Sequence, residues 1–409
     1  MTGQALSDIK VLDLTWCISG PCCTKLLANY GAEVTKIERP GTGDPARRIG
    51  PFPNDEPDIE KSGLFLHLNT SKRGVTLNLK TDTGRGILRQ IAARSDVLVE
   101  SFSPRVMPSL GLGYESLAEA NPGLVMVSIS NFGQTGPYRD FKLSELVLNA
   151  MGSCMKMVGQ PEREPLKLGG NILQYQAGAI AATATLTALF GSRLKGTGQH
   201  IDVSLLETCL GSIDRRAPYL LAHQYVGQGE TTERMGGGRG GIMSGCPEGV
   251  YPCADGYFDV AGGVAWWPRN FALLGSPPEL ADPKFGTPDG QMDTQCQEAI
   301  FSVLYPWAMS RTKQQVWEDA REARAALAPL YTTEDLVKDS HFEERGFFVD
   351  IDHPRAGRLK YPGAPFRPSV TPWQASSPAP LLGQHNQEVY GSLGYSYGDL
   401  TKLAKAGVL

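Results

Sequence analysis

Ile9-Lys-Val-Leu-Asp-Leu-Thr-Trp-Cys-Ile-Ser-Gly-Pro21, running on through Cys22 to Tyr30 and into Gly31-Ala-Glu-Val-Thr-Lys-Ile-Glu38, is the stretch whose reading decides the fold. Ile9 to Leu14 is an apolar run of strand length, Thr15 to Pro21 is a turn, Cys22 to Tyr30 reads as a helix, and Gly31 to Glu38 reads as a second strand. Strand, helix and strand in such close order predict a βαβ unit and a parallel sheet. Val75 to Leu79, Val97 to Glu100 and Leu124 to Ile129 repeat the theme, with a helix from about Thr83 to Arg94 between the first two. The fold class is therefore α/β.

The 409 residues suffice for two domains or for one large body with an insertion. Apolar residues make up 41% and charged residues 20%, as in ordinary globular proteins. The net charge of −4 is spread without a long run of one sign, which argues against a nucleic-acid partner. No window is apolar for long enough to span a bilayer, and the first residues lack the basic start and apolar centre of a signal peptide, so no membrane partner and a cytoplasmic location are expected. The eight cysteines lack paired metal-ligand spacing, so no metal site is expected and they read as reduced, mostly buried thiols. Cys17, in the first strand-to-helix turn, offers a reactive-thiol reading, but packing is preferred.

Further along, small residues dominate a predicted helix from about Tyr175 to Arg193, including Ala177, Gly178, Ala179, Ala181, Ala182, Ala184 and Ala188. Such a helix admits a neighbouring backbone, or a ligand, at close range. Composition shifts to glycine from about Ala222 to Pro247, around Met235-Gly-Gly-Gly-Arg-Gly-Gly241. Gly249 to Val260 predicts two strands joined by a turn at Asp255-Gly256. Helical stretches follow to about Ser340, and the proline-rich Pro362 to Gly383 predicts an extended tail. Trp266 and Trp267 suit an aromatic pocket less well than a core. Ser19-Gly-Pro-Cys-Cys23 is not GxGxxG, but Arg39, Arg47, Arg48, Lys72, Arg73 and Lys80 form a basic set that a polyphosphate cofactor would need. Solvated surface charge accounts for about half of them.

Several motifs, in order along nearly the whole chain, resemble the family III (formyl-CoA transferase-like) coenzyme A transferases. They are Val11-Leu-Asp-Leu-Thr15, Ser19-Gly-Pro21, Leu26 to Arg39, Gly43-Asp-Pro-Ala-Arg47, Ser71-Lys-Arg73 and Asp96-Val-Leu-Val-Glu-Ser-Phe102. Lys195-Gly-Thr-Gly-Gln-His-Ile-Asp202, Pro278 to Phe285, Thr333-Glu-Asp-Leu336 and Glu344-Arg-Gly-Phe-Phe348 continue the likeness.

The resemblance implies a Rossmann-like large domain over residues 1–222, a smaller α+β domain with the glycine-rich loop over 223–335, and a segment 336–409 that returns to the large domain. Two chains are expected to interlock, each threading the other. Coenzyme A or an acyl-CoA is implied as substrate, near Ile18, Ser19, Arg39, Leu77, Asn78, Leu79, Lys80, Ser101, Phe102, Ser103 and Lys142, with Glu145 nearby. Ser101 stands where an asparagine is usual, and Ser109 where a basic residue is usual.

The family nucleophile is an aspartate four residues before the glycine that matches Gly178. In Gly169-Gly-Asn-Ile-Leu-Gln-Tyr-Gln-Ala-Gly178 that position is Gln174. An amide cannot form the acyl anhydride on which the family mechanism depends. Glu145, Glu162 and Glu164 precede the site, yet nothing in their spacing sets one on the same turn, so none is assigned as a replacement. Gly236, Gly237, Gly238 and Arg239 belong to a loop expected to cover intermediates, and Arg239 is equally a carboxylate contact or a solvated side chain. The racemase branch is disfavoured, because no histidine occurs between Asp140 and Glu145.

The preferred expectation is a non-nucleophilic subunit whose partner is an aspartate-bearing homologue. It would resemble the two-subunit benzylsuccinate CoA-transferase, which moves CoA from succinyl-CoA to an aromatic dicarboxylate in anaerobic aromatic degradation. The alternatives are a CoA-ester isomerase or lyase using Gln174 for polarisation, and a CoA-ester-binding protein without turnover.

Overall fold

A computed structural model describes residues 3–155, 158–159, 163–212, 221, 224–225, 227, 245–375 and 377–409. The chain divides into two compact units, one of residues 1–152, 169–216 and 343–409, the other of residues 153–168 and 217–342.

The first unit is built on a six-stranded sheet of order β3-β2-β1-β4-β5-β6. Its strands are β1 (Lys10–Leu14), β2 (Glu33–Glu38), β3 (Lys72–Thr76), β4 (Val97–Glu100), β5 (Val125–Ser130) and β6 (Gln199–Ser204). All pair in parallel, as the βαβ reading predicts. β4 and β5 are buried along their whole length, as central strands covered on both faces must be. Chain order reverses between β1 and β4, and the crevice beyond the strand ends at such a switch point is where open α/β sheets receive ligands.

Two boundaries differ from the sequence reading. The first helix is Ser19–Asn29, starting three residues early, because Pro21 fits the first turn, where the N–H it lacks has no helical partner to lose. β3 starts at Lys72 rather than near Val75. A strand that opens on Lys72-Arg73 is invisible to an apolar pattern, and tertiary pairing makes it possible.

That pairing is a buried polar network under the first turn. Lys72 Nζ lies 3.1 Å from Asp13 Oδ2 and donates to Pro21 O, Thr24 Oγ1 and Asn69 Oδ1, with both members of the ion pair inaccessible to solvent. Asp13 also accepts from Thr15 N, Thr15 Oγ1 and Thr24 Oγ1. Lys36 Nζ donates to Thr15 O and pairs with Asp44 at 3.0 Å, while Asp44 Oδ1 accepts from Cys17 N and Ala46 N. Arg47 grips Glu38 with two hydrogen bonds of 2.7 and 2.8 Å, reaches Glu60, and lies over the Phe65 ring. Arg47 and Lys72, which the sequence reading set among cations for a cofactor or for solvent, are thus structural.

The chain's last part completes this core. β10 (Phe348–His353) and β11 (Gly357–Pro362) form an antiparallel hairpin. Beyond it, Tyr30 stacks on Phe366 at 4.2 Å and Asn29 O accepts from Gln374 N, so this stretch lies along the end of the first helix. Helices Asn386–Ser392 and Tyr397–Lys405 then bring Val389, Tyr390 and Leu400 into the cluster that holds Leu12, Leu14 and Val75.

The second unit contains the antiparallel sheet β7 (Gly249–Cys253), β8 (Gly256–Val260) and β9 (Leu327–Pro329). The turn lies at Ala254-Asp255, one residue earlier than predicted, and Gly256 already pairs with Cys253. Helices Thr294–Met309 and Lys313–Ala323 supply Ile300, Leu304, Trp307 and Val316 to its core. Trp267 is buried there between Phe271 and Phe285, the core role preferred for it.

Burial alone would raise the Asp13 pKa, but Lys36, Lys72 and the threonine hydroxyls hold it at about 2. The stability it contributes is present above its ordinary value of 3.8 and is lost as pH falls through about 2. Asp13→Asn strands the buried Lys72 ammonium and is expected to cost about 3–5 kcal/mol, read as a lowered urea midpoint by circular dichroism.

Candidate functional site

The long helix Ile172–Lys195 leans on the first helix at Gly178, where a Cβ would sit 2.6 Å from Ser19 O and 2.7 Å from Cys22 Cβ. Only glycine allows that approach. One turn earlier on the same helix stands Gln174, the position at which the resemblance implies the nucleophile.

Gln174 is not alone there. Glu145 opens the short helix Glu145–Met151 and is buried. Its Oε1 accepts from Leu173 N at 3.1 Å and from Asn149 Nδ2 at 3.3 Å, and its Oε2 accepts from Gln174 Nε2 at 3.1 Å. A carboxylate has only acceptors, so the amide must turn its nitrogen to it. Asn171 makes no side-chain cap, and Glu145 takes over, satisfying a first-turn N–H of the long helix with a negative charge. Spacing along the chain gave no reason to join Glu145 to Gln174. The fold closes that gap and joins their side chains.

At the switch-point crevice, Trp16 follows β1, Arg39 follows β2, and Ser101 and Phe102 follow β4. Trp16 N donates to Ser101 Oγ at 2.9 Å, the Arg39 guanidinium lies 3.9 Å above the indole, and the Phe102 ring meets it edge-on at 5.2 Å. Three expected cofactor positions are therefore gathered by a residue that sequence reasoning did not single out. The signal was available, since Trp16 stands between Thr15 and Ile18 in the first turn. Ile18 and Ser19 are buried at the start of the first helix. Leu77 is buried, and Asn78 is tied to the chain's end through Val408 O and Gly407 O while its side chain accepts from Lys80 N. Leu79 packs on the sheet core and Lys80 is exposed. Ser103 O accepts from Val106 N. Lys142 is exposed, and Asp140, just before it, pairs with Arg105, just after Ser103. Of the basic set, Arg73 is engaged with Glu33 and Glu388, which leaves Arg39, Arg48 and Lys80 without an acidic partner among the described residues. Gly236, Gly237, Gly238 and Arg239 lie outside the described residues.

Cys17 adopts a left-handed backbone at φ 62°, a strained choice for a residue with a side chain, and Asp44 holds its N–H there. Burial, reinforced by Asp44, pushes its thiol up to about 11, so it is no ready nucleophile. Glu100 accepts from Phe102 N at 2.7 Å, and burial raises it from 4.5 to about 7. No described helix is long and apolar enough to cross a membrane, and no metal-ligating group of three or more His, Cys, Asp or Glu occurs among the described residues.

The first unit is thus an open parallel α/β sheet whose switch-point crevice gathers Trp16, Arg39, Ser101 and Phe102. The model of CoA-transferase family III matches residues 6–386, and the chain belongs to that family. It is 34% identical to the formyl-CoA:oxalate CoA-transferase of Streptomyces avermitilis, over 99% of this chain and 100% of that one. It is 32% identical to the succinyl-CoA–D-citramalate CoA-transferase of Chloroflexus aurantiacus, over 99% and 98%. The succinyl-CoA:mesaconate CoA-transferase of Haloarcula marismortui is 31% identical over 96% and 98%. Among solved structures, a CaiB/BaiF family protein from Brucella suis superposes with a TM-score of 0.84 at 27% identity, covering 96% of this chain and 100% of that one.

Gln174→Glu brings a second carboxylate against Glu145, and one of the two must then hold a proton. A raised folded-state pKa gives stability that is lost as pH rises, so the variant's melting temperature is expected to fall relative to the parent between about pH 5 and 8. Glu100 has the same sign. Its burial penalty grows as pH rises from 4.5 through about 7, and Glu100→Gln is expected to flatten that part of the stability–pH curve, worth up to about 3 kcal/mol.

Proposed function

We propose that this chain is the non-nucleophilic subunit of a heteromeric CoA-transferase whose partner is a homologue with aspartate at the position of Gln174. One observation carries the reading: the side chain at the nucleophile position is an amide, and its nitrogen is spent on Glu145. In the family reaction a carboxylate attacks the donor thioester and forms an anhydride as CoA leaves. The thiolate then attacks the enzyme carbonyl of the anhydride, releasing the donor acid and leaving an enzyme thioester; the acceptor carboxylate displaces the thiolate to form a second anhydride, and thiolate attack on its acyl carbonyl gives the new CoA ester and restores the enzyme carboxylate. Gln174 can begin none of these steps.

The donor is an acyl-CoA such as succinyl-CoA, which relatives named for that substrate support. The acceptor is a carboxylic acid, by analogy an aromatic dicarboxylate such as benzylsuccinate. CoA lies along Ile18, Ser19, Arg39, Leu77 to Lys80, Ser101 to Ser103 and Lys142, with Trp16 added to this set. The two chains interlock in the cytoplasm, so one can specialise as scaffold while the other reacts.

A second reading rests on Glu145. In it, the chain works as a homomer and the Glu145 carboxylate takes the nucleophile's part, at the cost of the hydrogen bonds it makes to Leu173, Asn149 and Gln174.

Native mass spectrometry of the assembly purified from its source through a tag on this chain separates the two. A 1:1 complex with an aspartate-bearing homologue, whose transfer activity is unchanged by Glu145→Gln in this chain, is the expected result. An active homodimer silenced by Glu145→Gln would establish the second reading instead. Gln174→Asp in the isolated chain then shows whether the nucleophile alone is missing, since brisk transfer requires an otherwise intact site.

A further inference from the structure

Glu100 closes β4 at the switch-point crevice and is buried there. Its Oε2 accepts from Phe102 N at 2.7 Å, which draws the turn after β4 back onto the strand end. The same turn offers Ser101 Oγ to Trp16 N and sets the Phe102 ring edge-on to the indole, over which Arg39 lies. The Glu100 carboxylate therefore fixes the backbone on which the crevice side chains are mounted.

Glu100 is also the inner end of a polar row across the sheet. Ser128 stands opposite it in the β4–β5 register, and Asp202 stands opposite Ser128 in the β5–β6 register. His200 lies two residues before Asp202, on the same face. Ser128 is buried, and its hydroxyl steadies the ionised form of Glu100. Ser128 Oγ and His200 Nε2 are 2.9 Å apart, and the exposed His200 stacks its ring on Tyr114 at 5.7 Å. A carboxylate only accepts, so a serine that turns its proton to Glu100 must accept from His200, whose proton then sits on Nε2.

The surroundings place this row near neutrality. Leu14 flanks Glu100 from β1 and brings no charge. Burial, reinforced by Asp202, raises Glu100 to about 7 against the pull of Ser128 and Phe102 N. Asp202 and Glu115, the latter from the short helix Tyr114–Ala118, favour the His200 cation, but burial outweighs them and holds the ring below its usual range. Burial, then Glu115, keeps the Tyr114 phenol protonated.

We propose that Glu100, Ser128 and His200 form a proton-operated latch on the turn after β4, with Glu100 the positioning residue for the crevice and His200 the solvent end. In the closed state ionised Glu100 holds Phe102 N–H. To open it, a solvent proton joins His200 Nδ1, the Nε2 proton passes to Ser128 Oγ, and the serine's own proton passes to Glu100. One proton enters in all, and Ser128 then donates to a ring that carries its proton on Nδ1. The neutral carboxyl lacks the charge that strengthened the Phe102 bond, and the group around Trp16 loosens. The latch rests on the reading of the crevice as a CoA site only where a ligand is concerned.

The first test needs no ligand. In the native assembly labelled with 15N-phenylalanine, the Phe102 amide, identified by its loss in Phe102→Tyr, is expected to shift with one titration centred near the Glu100 value of about 7. Glu100→Gln is expected to abolish that shift. His200→Phe keeps a ring on Tyr114 without a nitrogen and is expected to raise the midpoint by about one unit, while His200→Gln, whose amide again donates to Ser128, restores it. An amide that does not titrate, or a midpoint indifferent to His200→Phe, would overturn the proposal. Should Glu100→Gln fail to fold, the two variants of the exposed His200 decide. The second test is calorimetric titration with dephospho-coenzyme A, whose phosphates keep the same charge across the range. Its affinity is expected to be about tenfold lower at pH 6 than at pH 8 in the parent, and to differ by less than about twofold in Glu100→Gln. Binding that ignores pH in the parent would overturn the positioning role. An amide that titrates in a protein without affinity for dephospho-coenzyme A removes the CoA reading of the crevice and leaves the latch standing.

Discussion

Two buried lysines and two buried aspartates lie under the first strand-to-helix turn, and the position of nearly everything functional follows from them. Asp13 and Lys72 join β1 to β3 across β2, and Lys36 with Asp44 ties β2 to the backbone of the turn. Each charge is desolvated, so each is tolerable only with its ionic partner in place, with hydroxyls and backbone N–H groups donating to the aspartates and carbonyls accepting from the lysines. The network therefore accepts one geometry of residues 15–21 and resists others. It holds Cys17 in a left-handed conformation that its side chain disfavours, and it lets the first helix begin at Ser19.

From that fixed turn the site is reached by contact. Trp16 leaves the turn toward the crevice and collects Arg39, Ser101 and Phe102. Ser19 and Cys22 receive Gly178, whose missing side chain lets the long helix that carries Gln174 pack closely on the first. Glu145 then caps that helix and binds the amide. In a chain with aspartate at position 174 the same approach would crowd two carboxylates and raise the pKa of one. Glutamine removes that conflict, and its pairing with Glu145 gives the buried carboxylate a donor.

Much of the fold was legible because it depends on patterns that repeat. Apolar runs of strand length, separated by helical stretches, imply a parallel sheet whatever surrounds them. β4 matches its predicted bounds because Val97, Leu98 and Val99 form an unbroken apolar run closed by Glu100. β3 does not, because Lys72 and Arg73 enter the sheet only where Asp13 and Glu33 wait for them. The C-terminal helices were missed for a related reason. Their few apolar residues are enough to fill a gap in an existing core, though too few to announce an independent amphipathic helix.

The sequence by itself determined the α/β class, the family motifs and the absence of an acid at position 174, since these are properties of residue type and local order. Tertiary structure decided which charges are structural and which remain open to a ligand. Arg47 and Lys72 look like Arg39 and Lys80 in the sequence, but burial with fixed partners removes the first two from any cofactor. Only the folded chain brings Glu145 to Gln174. The strength of a charge depends on what desolvates it and what answers it, and both are supplied by residues far away along the chain.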